Sequence, residues 1–131
     1  MKELKEIVQG FLKSVHPRVS FQNAPEKGVY PYIVYKITQI PDDGEGLRTP
    51  IVDIYIWDSP SDGDATVLET LVESINGNGD IINPTGLNKK ILSNGATTAV
   101  FYLDRVLPPD EDEKRLKYRV CAYGVKLFKR S

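Results

Sequence analysis

The stretch IVDIYIWDSPSDGDATVLE, residues 51–69, decides the fold. Its first seven residues alternate: Val52, Ile54 and Ile56 point one way, and Ile51, Asp53, Tyr55 and Trp57 the other. A period of two is a strand with two distinct faces. The aliphatic face belongs to a core, while the face with Asp53, Tyr55 and Trp57 suits a contact surface. Beyond the turn the period changes. Ala65, Leu68, Leu71, Val72 and Ile75 share one side of a helix, and Gly77 ends it in the left-handed conformation.

The link between strand and helix carries Asp58, Asp62, Asp64 and Glu69. Counted from Asp58, then Asp62, Gly63, Thr66 and Glu69 fall where a helix-loop-helix calcium loop places its oxygen ligands and its glycine. Pro60, however, stands at a ligand position without a side-chain oxygen, and the incoming element is a strand. Helix capping accounts for the same residues more fully. Asp62 or Asp64 accepts hydrogen bonds from the free amides of the first helical turn, where negative charge is also favoured by the helix dipole. The reading is therefore a turn and a cap, with no metal site and no cofactor.

Working outward, Leu4, Ile7, Val8, Phe11, Leu12 and Val15 form the apolar face of an N-terminal helix that Pro17 stops. Residues 18–22 suit a short strand, and residues 30–40, YPYIVYKITQI, a longer one. Residues 41–50 form a polar loop, residues 76–86 a second, and residues 108–114 a charged third. Residues 87–93 suit a short strand, residues 97–106 and 116–128 longer ones, the last with Gly124 as a place to bend. Strands joined by short polar connections favour hairpins. The expected architecture is one α+β domain over residues 1–131: a mainly antiparallel sheet of four to five strands with two helices on one face.

The chain of 131 residues is long enough to bury a core. A formal net charge of −1 argues against specific nucleic-acid binding or an anionic membrane, both of which need a basic face. No apolar run reaches membrane-spanning length. Cys121 has no second thiol to pair with and sits in an apolar run, as a buried small hydrophobe does. His16 is the one histidine, at the end of the first helix. No nucleophile–base pair, zinc cluster or phosphate loop is spelled out, so an enzyme is not expected.

RVSFQNAP (18–25), VYPYIVYKI (29–37), VDIYIWD (52–58), GDATVLETLVESI (63–75) and AVFYLDRVLPPDEDEKRLKYRV (99–120) follow one another after the first helix. As a set they resemble the tail-completion, or tail terminator, proteins of long-tailed bacteriophages and prophages, close in style to the minor capsid and head-tail joining proteins. The resemblance implies an α+β fold and a homo-oligomeric ring, usually a hexamer, that caps the tail tube. It implies the tail-tube protein and the head connector or stopper as partners, and residence in the host cytoplasm and then at the head-tail junction of the virion. A connector or stopper, or a small protein-binding module unrelated to phage, are the alternatives. A ring joins unlike patches on neighbouring subunits. Candidate interface residues are Arg48 in the 41–50 loop and Asp53, Tyr55 and Trp57 on the second sheet face. The 76–86 loop is a further candidate contact.

Overall fold

The structure, a computed structural model, describes residues 2–22, 31–38, 50–58, 66–77, 84–95, 97–106, 110–111 and 117–129. Arg48, Asp62, Asp64, the 23–28 turn and the 41–49 loop lie outside these residues. The elements run α1 (Lys2–Val15), β1 (Val19–Phe21), β2 (Tyr32–Thr38), β3 (Ile51–Asp58), α2 (Thr66–Asn76), β4 (Ile91–Asn94), β5 (Thr97–Val106), β6 (Asp110–Glu111) and β7 (Lys117–Lys129).

One sheet holds all seven strands in the order β1-β2-β3-β7-β5-β4, with β6 also paired to β7. It is larger than the four to five strands expected. The short runs 19–21 and 91–94 form its two edges, and the charged loop at 108–114 contains β6. Every pairing is antiparallel except β1 with β2. Residues 87–90 precede β4 rather than forming it; Lys89 takes a left-handed φ of 66°. In the β5–β7 pair Asp104 is the extra residue of a bulge, between the partners Leu103↔Tyr123 and Arg105↔Ala122.

The alternation read in β3 sets the layers. Val52, Ile54 and Ile56 are fully buried, and register places them beside Ile37, Tyr35 and Ile33 of β2 and beside Tyr123, Cys121 and Arg119 of β7. Phe101, Ala99 and Val125 continue this face. Leu4, Val8 and Leu12 of α1 and Leu68, Val72 and Ile75 of α2 join the same cluster. Both helices therefore lie on one side of the sheet. Their apolar stripes follow the helical period, and burial of those stripes rather than intrinsic propensity holds short helices together.

Polar pins fix the helices in place. The Tyr35 hydroxyl donates to Gln9 Oε1 at 2.6 Å, tying β2 to α1. The Tyr123 hydroxyl donates to Asn76 Oδ1 at 3.1 Å, tying β7 to the end of α2. Gly77 closes α2 at φ 85°, its amide bonded to Glu73 O at 2.7 Å. The chain then returns: the amide of Leu87 bonds Ile75 O at 2.6 Å. Gly77 and Gly86 lie backbone against backbone, so closely that a Cβ on either would collide with the other's main chain. Only glycine fits at both ends of this contact.

Candidate interaction surface

The face of the sheet away from the helices carries the other half of each alternation. Across β2, β3 and β7 it shows Tyr32, Trp57 and Tyr118 as one cross-strand row. Tyr32 and Trp57 stack with ring centroids 6.4 Å apart, and Trp57 and Tyr118 tilt at 4.6 Å. Aromatic pairs at such separations favour offset or tilted contact and stiffen the surface that bears them. The next row is Val34, Tyr55 and Val120, and the next Lys36, Asp53, Ala122 and Arg105. Tyr32, Val34, Val120 and Ala122 are buried, while Asp53, Tyr55 and Trp57 are half-buried. The three described candidates from the sequence thus share one face at successive positions of β3, in a partly covered centre rather than an open one.

The Asp53 carboxyl is held above the usual carboxylate range. Burial raises the pKa of Asp53, Arg105 and Lys36 pull it down, and Asp104 pushes it up again. Lys36 Nζ also lies 5.1 Å from the Tyr55 ring centroid, a cation–π contact.

The open part of the face lies toward β4 and was not foreseen. Ile91, Tyr102 and Phe128 are 65%, 45% and 57% exposed. Register groups them around Val100, which pairs with Ile91 on one side and Lys126 on the other. Lys126 Nζ lies 5.5 Å from the Tyr102 ring centroid. β5 is apolar on both faces, so its sequence alternation could not tell which side met solvent. Only the pairing with β7 and β4 does.

The residues with latent chemistry have structural roles. His16 Nε2 and Arg18 Nε both donate to Pro31 O at 2.9 Å, fixing the entry to β2. The Cys121 thiol is fully buried, and burial pushes its pKa up to about 11, away from nucleophilic thiolate. Glu69 accepts from the Arg119 guanidinium at the α2–β7 seam. A cation held by Glu69 would sit beside that guanidinium, which opposes the calcium-loop reading. Among the described residues, no group of three or more His, Cys, Asp or Glu side chains is placed to hold a metal. Among them, too, no helix is long and apolar enough to cross a membrane.

No protein-family model matches the sequence, and no curated protein matches it. A solved protein chain known only by a sequence identifier is similar over 97% of this chain and 97% of its own, with a TM-score of 0.63 and 9% identity. At that identity the likeness shows a shared fold alone. The class defined by fold and surface is a mixed α/β domain with helices on one side of its sheet and an aromatic second face.

Proposed function

We propose that this chain is a structural protein of phage morphogenesis, a tail-completion protein that assembles as a ring, usually of six copies, on the end of the tail tube. The observation that carries the reading is the second sheet face, with its aromatic row and its exposed Ile91, Tyr102 and Phe128. Exposed aromatic and aliphatic side chains gathered on a rigid sheet are characteristic of protein–protein contact. The sequence resemblance supplies the biological setting. It makes the tail-tube protein and the head connector the partners, and the head-tail junction the destination. A head-tail connector or stopper would use the same kind of surface.

Mass in solution, measured by light scattering over rising concentration with electron microscopy of large species, is the first test. Closed rings are expected, on their own or on added tail tubes. A chain that stays monomeric and leaves purified tail tubes unbound would remove the reading.

A further inference from the structure

The edge of the sheet at β4 carries two complementary features on its opposite sides. On the second face stands the apolar knob of Ile91, Tyr102 and Phe128, with the Lys126 ammonium among them. Asp104, the exposed bulge residue beyond Tyr102, lies toward the Asp53 row of this face. On the helix side, an open groove of about 880 Å³ runs between α1 and β4. Phe11, Val15 and Leu92 line it with apolar surface, and Gly10 leaves its wall low, because a Cβ there would meet nothing within 4 Å. Charge is distributed along the groove. Glu6 accepts from Asn94 Nδ2 at one end, while Lys90 Nζ lies 5.7 Å from the Phe11 ring centroid at the other and donates to Pro84 O at 3.4 Å.

We infer that the groove receives the knob of a second copy of this chain, so that Phe128 and Tyr102 of one copy pack on Phe11, Val15 and Leu92 of the next, and Lys126 meets Glu6. The inference rests on the ring reading above and deepens it by naming the two unlike patches that a ring requires. The charges select the occupant. A knob facing a knob would set Lys126 against Lys126, whereas the groove offers the Glu6 carboxylate at its Asn94 end, with the Lys90 ammonium held at the other end beside Phe11. Because knob and groove lie on opposite sides of the sheet, each copy can use both at once. That is the head-to-tail contact from which rings or filaments are built.

The test uses disulfide capture in full-length chains. Gly10→Cys places a thiol on the groove wall without a clash, and Thr98→Cys places one beside its cross-strand partner Phe128 while leaving the knob whole; native Cys121 is buried. Mixed under mild oxidation, the two variants should give a covalent heterodimer far in excess of either variant alone. Lys126→Glu in the knob partner should reduce its yield several-fold, and Glu6→Lys in the groove partner should restore it. Thr98→Cys cross-linking mainly to itself would overturn the proposal in favour of a two-fold contact. No mixed cross-link at concentrations where the wild-type chain forms rings would also overturn it, with the ring reading intact. No cross-link from a chain that neither assembles nor binds tail tubes would overturn both.

Discussion

Gly10 shows how a single residue divides fold from function. It sits exposed in the middle of α1, and its missing side chain touches nothing. Glycine in a helix interior costs about 0.5–1 kcal/mol relative to alanine. Gly10→Ala should therefore raise stability by about that amount, read as a higher urea midpoint with an unchanged slope; a lower midpoint would mean the groove wall is already filled. Tyr35 is the opposite case. Its hydroxyl is spent on Gln9, and Tyr35→Phe should lose about 1 kcal/mol, the ordinary worth of one such bond, by the same measurement. Neither role is visible in the sequence. Gly10 reads there only as a weak spot, and Tyr35 as one more large residue of a strand.

At the scale of elements, α2 is held from two sides, by its buried stripe and by the Arg119–Glu69 pair. Glu69 is 44% exposed and Arg119 16%, so solvent screens the pair and its worth is about 0.5 kcal/mol. Glu69→Gln should lower the melting temperature by no more than a few degrees, and millimolar calcium should leave it unchanged in the wild type. A clear rise with calcium would revive the metal reading. β3 is legible in the sequence because it obeys one rule throughout: its even-numbered side chains are buried and its odd-numbered ones half-buried. The stripes of both helices were legible for the same reason. β1 falls inside the short strand expected at 18–22, and β4 takes up the end of the one expected at 87–93. β6 was not legible: a run of two residues contains no alternation, and it is a strand because β7 supplies its hydrogen-bond partners. The candidate surface was half legible. Asp53, Tyr55 and Trp57 fall on the expected face, but Ile91, Tyr102 and Phe128 come from three strands distant in sequence and gather only through the register.

For the whole molecule, three buried groups set an alkaline limit. Burial pushes Cys121 up from 9.0 to about 11 and Tyr35 up from 10.0 to about 12, and it raises Tyr123 as well. Each must stay neutral in the fold and ionises more readily once unfolded. The stability they hold is present in full below about pH 9 and drains away as pH rises toward 12 through the folded values. The melting temperature should hold level from pH 7 to 9 and fall steeply from 9 to 11, followed by circular dichroism; a level curve through pH 11 would contradict the burial of these side chains. The contact between Gly77 and Gly86 has a different consequence. Two points of chain that touch define a closed circuit, and residues 78–83 of this one lie outside the described residues. Lengthening such a circuit to twice its span costs about 0.6 kcal/mol. A peptide tag spliced in after residue 80 should leave the melting temperature within a few degrees of the parent. A parent-like melting temperature would make this junction a port at which new sequence can enter, by evolution or by design, without the sheet having to be rebuilt.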